Sequence, residues 1–505
     1  MDIQNEKSHV FNIKLAKCIG LYQILDPGTV KFRGQNIYHI VAACILLVMC
    51  VNSVLLNVSS LYYGTNNISI SVDCFWKAET SLYLIYKIWI VVSHSNDVWN
   101  LLSITRYDFT SFSLRNRHIL DCWRDRSVLL TTMFAIMYSC FSAFYLVSTL
   151  VFRNDILPVK NHDGSVGFYR QNVMNFYLIV SDETYNAHYT TFYFVEALYL
   201  AIMVISFLIF DIVLVTLCIA ICSQMQMICF AFKSVGHKSH CEYYSPIDYT
   251  GEKKKKPNNH NSVYVELKTI IKDHQAVIEK YEDFLTLFKR AMLLQIFISS
   301  LSVITLWFVF IMSFSNDDKF KDMDVAFKKM ICPLLGILFQ IILVCYLFGH
   351  LHNQKDLIIF ALYSSNWTEM DMKCKKLILL TMKMNNANHK KLKFTRTRIV
   401  NLEMFYKIMV YLSNYYPKII NEESRIIRRI LQASSLTNYL QLLLILRESF
   451  LPFNLLYILF IPISAFFVQF SMSTNITGSY FLKSVLLLNE YKINELIINL
   501  ISWTN

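Results

Sequence analysis

The chain has 505 residues, of which 55% are apolar and only 17% are charged, and its formal net charge is +12. Soluble domains average about 25% charged residues, and they reach roughly 45–50% apolar residues only when glycine is counted. This composition excludes a disordered chain, a fibrous protein and a soluble basic nucleic-acid binder. It predicts an all-α polytopic membrane protein.

Hydrophobic runs predict seven membrane-spanning helices, because a helix needs about 20 mostly apolar residues to cross the hydrocarbon. Five runs meet this requirement clearly: 37–57, 128–152, 197–222, 291–313 and 330–350. Two weaker runs, 74–93 and 400–416, contain charged residues, which are Lys77, Glu79, Lys87, Glu403 and Lys407. Polar residues within a span usually face the interior of a bundle or a water path. We therefore expect the two weaker spans to line a functional surface.

The charges between the spans predict the orientation of the chain. With a cytoplasmic N-terminus, the cytoplasmic segments hold 31 Lys and Arg residues and the outer loops hold 7. Lys and Arg concentrate on the cytoplasmic side of membrane proteins, so this orientation is favoured. Two glycosylation sequons, at Asn57 and Asn67, fall at the first outer loop and agree with it.

Two segments on the cytoplasmic side repeat apolar residues at helical spacing. Residues 265–290 run without a breaker into the fifth span, and 357–384 follow the sixth span. Such amphipathic segments predict intracellular helical extensions that pack into an anchor bundle. The alternative is that they lie on the lipid surface.

Asp211 lies within the fourth span, where a lone carboxylate is costly. We expect it to face the bundle with a structural partner, and the second interpretation is a role in an ion path. Elsewhere the sequence has no Walker loop, no His-Glu-x-x-His and no nucleophile elbow. It therefore predicts no enzyme, no metal site and no cofactor.

Several strings in the second half of the chain carry a family resemblance. They are Ile271-Lys-Asp-His-Gln-Ala-Val-Ile-Glu, Leu293-Leu-Gln-Ile-Phe-Ile-Ser-Ser, Phe348-Gly-His-Leu-His-Asn-Gln, Ala361-Leu-Tyr-Ser-Ser-Asn-Trp and Asn401-Leu-Glu-Met-Phe-Tyr-Lys-Ile-Met-Val-Tyr-Leu-Ser-Asn-Tyr. In order and spacing they resemble the insect odorant receptors, a family of seven-span ligand-gated channels. The resemblance covers roughly residues 10–420.

The resemblance implies an odorant-binding subunit of a non-selective cation channel in the plasma membrane of olfactory neurons. It implies a heterotetramer with a shared co-receptor, in contact with membrane lipid and not with nucleic acid. The seventh helices would then line the pore, whose gate residues are expected to be Ile408, Tyr411, Leu412 and Tyr415, with Glu403 at its entrance. The alternative for these side chains is packing against neighbouring helices.

The odorant pocket is expected among spans two, three, four and six. A small, volatile, apolar ligand needs walls of aromatic and aliphatic side chains with few polar groups. The candidates are Trp76, Tyr83, Phe144, Tyr145, Tyr199 and Met203. The alternative for each is plain core packing.

Two other functions are compatible with a polytopic chain. A gustatory-type receptor would work as a homotetramer, but the Thr-Tyr…Gln-Phe ending of that family is absent. A secondary transporter often has two similar halves, and the chain shows no internal repeat. Residues 422–505 resemble nothing in the odorant receptors, and their apolar run 450–472 is either an eighth span or an extension of the gene model. The sequence names no odorant, and it does not distinguish a ligand-tuning subunit from a co-receptor.

Overall fold

The computed structural model describes residues 9–63, 67–112, 116–161, 165–178, 180–237, 259–313, 323–387, 391–393, 399–401 and 403. The helices in this part of the chain are α1 (Ile13–Cys18), α2 (Leu21–Leu25), α3 (Ile37–Tyr63), α4 (Ile68–Ser93), α5 (Ser95–Leu102), α6 (Arg117–Val151), α7 (Asp182–Ala187), α8 (Tyr189–Ser234), α9 (Asn259–Ser313), α10 (Met323–Tyr363) and α11 (Met372–Ala387). Short 3-10 helices lie at Ser103–Thr105 and Trp367–Glu369. The strands form two antiparallel hairpins, β1 (Lys31–Phe32) with β2 (Gln35–Asn36) and β3 (Ile156–Lys160) with β4 (Val166–Arg170).

Four helices of the described chain are long and apolar enough to cross a membrane. They are Ile37–Tyr63, Arg117–Val151, Tyr189–Ser234 and the Gly336–Tyr363 part of α10. The predicted spans 37–57, 128–152, 197–222 and 330–350 fall on these helices. Spans 74–93 and 291–313 fall on α4 and α9, whereas most of span 400–416 and the tail 422–505 lie outside the described residues.

α8 is the central helix of the bundle and packs against α4, α6, α9 and α10. Its residues are buried on every side from Leu208 to Met225. A helix that is apolar all round is stable only when neighbours cover all of it. The large apolar core therefore forms around α8, α9 and α10, and a smaller apolar cluster forms where α3, α4, α6 and α8 meet the β3–β4 hairpin.

α9 is a single helix of 55 residues, as the uninterrupted pattern from 265 into the fifth span predicts. It contains neither glycine nor proline. Its buried residues recur at helical spacing, at Leu267, Ile270, His274, Val277, Tyr281, Phe284 and Phe288. The same apolar stripe therefore continues from the predicted extension into the predicted span.

The second predicted extension, 357–384, consists of two pieces. α10 ends at Tyr363 and α11 begins at Met372. Between them, the hydroxyl groups of Ser364 and Ser365 donate to backbone carbonyls of α10, and the Asn366 N–H donates to the Val235 carbonyl at the end of α8. Serine and asparagine compete with helical hydrogen bonds in this way, so the chain turns here and ties α10 to α8.

The β3–β4 hairpin lies between α6 and α7 and is not anticipated by the all-α prediction. Asn67, just before α4, donates to the Lys160 carbonyl at 2.7 Å and accepts from the Lys160 N–H at 3.1 Å. These bonds fix the start of α4 to the hairpin. We call this end of the bundle the hairpin end.

Candidate functional site

α4 carries its charged side chains inside the bundle. Lys77, Glu79 and Lys87 are each at most 3% exposed. This is the arrangement expected of charged residues in a weak span, because a charge facing lipid is costly. The two lysines have carboxylate partners, and Glu79 has none among the described residues.

Asp211 joins four helices. Its Oδ1 accepts from Lys87 Nζ of α4 at 2.8 Å, and its Oδ2 accepts from the Tyr138 hydroxyl of α6 at 2.9 Å and from Gln340 Nε2 of α10 at 2.7 Å. A buried carboxylate is tolerated when it is paired and hydrogen-bonded in this way. These contacts fit the first of the two interpretations of Asp211, a structural partner.

A second buried ion pair lies near the hairpin end. Lys77 Nζ is 2.5 Å from Asp73 Oδ2, one helical turn away on α4. The Asn175 side chain, in the segment after β4, donates to the same oxygen at 3.0 Å. The pair therefore also holds the loop above it.

Glu196 on α8 anchors that loop from the other side. Its Oε2 accepts from the backbone N–H groups of Met174 and Asn175 at 2.5 and 3.3 Å, and its Oε1 accepts from the Tyr185 hydroxyl at 3.0 Å. Burial raises the pKa of Tyr185, with a further contribution from the charge of Glu196, so the hydroxyl stays protonated and remains a donor. Asp73, Asn175 and Glu196 are not among the residues predicted from the sequence to be functional.

Three of the six predicted odorant-binding residues lie together. Tyr145 of α6 and Tyr199 and Met203 of α8 belong to the smaller apolar cluster at the hairpin end. The Tyr199 hydroxyl is 2.5 Å from Ser81 Oγ of α4, and the Tyr145 hydroxyl donates to the Val173 carbonyl at 3.2 Å. These two tyrosines therefore have polar partners within the chain.

Trp76 and Tyr83 are also buried, at 8% and 4% exposure, but they belong to neither of the two apolar clusters described above. They lie on α4 with Glu79 between them. Trp76 Nε1, Glu79 Oε2 and the Tyr83 hydroxyl have no hydrogen-bond partner among the described residues. Glu79 stood out in the sequence as a charged residue within a predicted span. It was not among the predicted odorant-binding residues.

Phe144, the sixth predicted residue, is 58% exposed on α6 and lies outside the buried layer. Tyr145 follows it in sequence and is buried, because neighbouring residues of a helix point about 100° apart.

The two sequon asparagines are both held by hydrogen bonds. Asn57 lies inside α3, is 3% exposed, and its amide donates to the Ser53 carbonyl at 2.8 Å. A glycan on that nitrogen has no room in this conformation. Asn67 is more accessible, and its amide is bonded to Lys160.

Four of the predicted gate residues, Ile408, Tyr411, Leu412 and Tyr415, lie outside the described residues. Glu403 is described and is exposed. The pore and its gate therefore remain predictions from the sequence.

At the end of the bundle opposite the hairpin, Gln224 of α8 holds the turn between α5 and α6. Its Oε1 accepts from the Thr110 hydroxyl at 3.0 Å, and its Nε2 donates to the carbonyls of Ile104 and Arg106 at 3.2 and 3.1 Å. His274, which belongs to the string that begins at Ile271, is buried on α9, and burial lowers its pKa to about 4. Within the described ranges, no three His, Cys, Asp or Glu side chains are grouped as metal ligands.

Two comparisons with known proteins gave a match. A family model described as 7tm Odorant receptor matches residues 78–412. The fold is similar to the structure of the insect olfactory receptor OR5 from Machilis hrabei, with a TM-score of 0.58 and 14% sequence identity, over 81% of this chain and 98% of that one. No curated protein matches the sequence. At this identity the structural similarity supports the fold, and the family model supports the membership.

Proposed function

Because this chain belongs to the 7tm odorant receptor family, we propose that it is the odorant-binding subunit of a ligand-gated, non-selective cation channel in the plasma membrane of olfactory neurons. The family assignment and the apolar helices together establish an odorant receptor and a membrane protein. Channel activity, the co-receptor and the cellular location are the parts we propose.

The observation that carries the proposal is the buried face of α4 near the hairpin end. There, Trp76 and Tyr83 flank Glu79, and all three have polar atoms without a partner in the described chain. Small-molecule sites combine apolar and aromatic walls with a few polar groups that orient the ligand. We therefore propose that the odorant binds against this face, with Tyr145, Tyr199 and Met203 of the adjacent cluster as further wall residues. Phe144 is not included, because it is exposed.

We propose a cytoplasmic N-terminus for this subunit, from the excess of Lys and Arg in the segments that follow the even-numbered spans. The hairpin end then faces outward and presents Asn67 to the outside. The N-terminal half of α9 and all of α11 then lie in the cytoplasm. There we expect them to form the anchor bundle that joins this subunit to the co-receptor.

The pore is proposed to be lined by residues 400–416, with Ile408, Tyr411, Leu412 and Tyr415 as an apolar constriction and Glu403 at its entrance. Apolar constrictions gate by excluding water. An odorant opens such a gate only if it binds the open state better than the closed one.

The experiment is current recording in cells that express this chain with an odorant co-receptor, the co-receptor alone, or this chain alone. We expect odorant-evoked cation current only from the pair. Current from this chain alone would support a gustatory-type homotetramer or a co-receptor role. Absence of current from the pair, at normal surface amount and beside a responding reference receptor, would contradict the proposal.

A further inference from the structure

α4 carries three unpartnered polar groups along one line. Trp76, Glu79 and Tyr83 are spaced by three and four residues, so they lie on one face of the helix over about two turns. This spacing places the Glu79 carboxyl between an indole and a phenol ring. We call these three residues the unpaired face of α4.

Burial makes the lack of partners significant. The three side chains are 8%, 3% and 4% exposed, and Trp76 Nε1, Glu79 Oε2 and the Tyr83 hydroxyl are buried atoms without a hydrogen bond. Nearly all buried polar groups in native proteins are satisfied by protein or water. Three exceptions in two turns of one helix indicate a place where a bound molecule supplies the missing bonds.

The two buried lysines of α4 are already paired with other carboxylates. Lys77 is paired with Asp73, and Lys87 is paired with Asp211, so neither lysine neutralises Glu79. Lys87 Nζ also lies 4.6 Å from the centre of the Tyr83 ring, so this cation contacts the ring as well as its carboxylate partner. A ligand here therefore meets a carboxyl group with one donor on each side along the helix, Trp76 Nε1 and the Tyr83 hydroxyl.

We propose that Glu79 binds the polar headgroup of the odorant, and that this headgroup is a hydroxyl, which both donates and accepts hydrogen bonds. The donated bond satisfies Glu79 Oε2, and the accepted bond satisfies Trp76 Nε1 or the Tyr83 hydroxyl. An ether or ester of the same shape only accepts, so it can bond Trp76 Nε1 or the Tyr83 hydroxyl but supplies no hydrogen to the Glu79 carboxyl. The inference rests on the proposed function, since it names the ligand class of that site.

The contribution of one such bond predicts the size of the preference. Sites built to bond a polar group strongly reject the analogue that lacks it, because their own buried groups are then left unpaired. We expect a hydroxyl compound to have an EC50 at least about tenfold lower than its O-methylated partner, a factor equivalent to about 1.4 kcal/mol.

The test uses pairs of volatile compounds that differ only in O-methylation of a hydroxyl group, on aliphatic, aromatic and terpenoid bodies. Currents are recorded from wild-type receptor with co-receptor, and from Glu79→Leu, Glu79→Gln and the exposed control Phe144→Leu. We expect the preference to disappear in Glu79→Leu, to persist in part in Glu79→Gln, whose amide oxygen still accepts, and to be unchanged in the control.

The surface amount of each variant separates a binding role from a structural one. Replacing Glu79 leaves no other buried group without its partner. Glu79→Leu is therefore expected to reach the cell surface in the same amount as wild type. Equal EC50 values within the pairs, an unchanged preference in Glu79→Leu, or loss of Glu79→Leu from the surface would each overturn the inference and leave the proposed function intact. Absence of current for every compound, with a reference receptor responding, would remove both.

Discussion

Two faces of α4 treat their polar residues in opposite ways. On one face, Asp73, Lys77 and Ser81, spaced by four residues, all have partners: each other, Asn175 of the loop and Tyr199 of α8. On the unpaired face, Trp76, Glu79 and Tyr83 are equally buried and have polar atoms without partners.

The difference separates polar residues that hold the bundle together from polar residues that are available to a ligand. A paired group contributes to stability. Removing one member of the pair leaves the other member buried without a hydrogen-bond partner. An unpaired group costs stability in the free protein, so its removal is neutral or favourable to the fold. Removing a polar group from the paired face is therefore expected to lower stability. Removing one from the unpaired face is expected to change the odorant response and leave stability unchanged or higher.

The largest effect is expected on the paired face. Lys77→Met leaves the Asp73 carboxylate buried with Asn175 as its donor, and breaking a buried ion pair in this way typically costs about 3–5 kcal/mol. We expect the surface amount, measured by biotinylation of intact cells relative to total protein, to fall several-fold. The double variant Asp73→Leu with Lys77→Met removes both charges and should recover part of the loss. A normal surface amount in Lys77→Met would show that the ion pair is not structural.

A smaller effect separates two tyrosines beside the Lys87–Asp211 ion pair, one in contact with the lysine and the other bonded to the carboxylate. Tyr138→Phe removes one of the three donors to Asp211, which is expected to cost about 1–3 kcal/mol. Tyr83→Phe removes the same hydroxyl from a residue that donates to nothing in the described chain. Thermal unfolding of detergent-solubilised receptor without odorant should therefore give a lower Tm for Tyr138→Phe and an unchanged or higher Tm for Tyr83→Phe. An equal decrease in Tm in the two variants would contradict the distinction between the paired and the unpaired face.

The smallest effect extends the comparison to the opposite end of the bundle, where His274 is buried on α9 beside the Phe232 ring. Burial lowers the pKa of His274 to about 4; the Asn385 side chain partly opposes this, and the charge of Lys355 adds to the lowering. An unfolded histidine has a pKa near 6.5, so between about pH 6.5 and pH 4 the unfolded chain binds more protons and stability falls as pH falls.

Replacement of this histidine is therefore expected to weaken the pH dependence of unfolding. The loss of Tm between pH 7 and pH 5 should be smaller in His274→Phe than in wild type. His118→Phe, at an exposed side chain of α6, is the control and should behave like wild type. An unchanged pH dependence in His274→Phe would mean that this ring is not protonated over that range.

Much of the helical architecture follows from the sequence, because long apolar runs and helical spacing depend on local chemistry. The continuity of α9 and the inward position of Lys77, Glu79 and Lys87 were predicted from such patterns. The partner of Lys87 was not, since Asp211 is 124 residues away and only the packing of α4 against α8 brings them together.

The candidate site was less accessible to sequence reasoning for a related reason. Phe144 and Tyr145 are both aromatic residues in an apolar helix, and periodicity alone does not decide which one faces inward. Glu79 carried a signal as a charge in a span, but its lack of partners depends on where every neighbouring side chain lies. The β3–β4 hairpin was not predicted, because each of its strands has only five residues and the pair follows a long helix.

The unbroken α9 helix restricts how this part of the chain can change in length during evolution. Inserting one residue turns everything beyond it by about 100°, so the buried stripe from Leu267 to Phe288 and the residues that continue it, such as Ile296, would no longer share a face. Seven inserted residues make nearly two full turns, restore the stripe and lengthen the rod by about 10 Å. Within Asn259–Ser313, homologous chains are therefore expected to differ by whole pairs of turns or not at all.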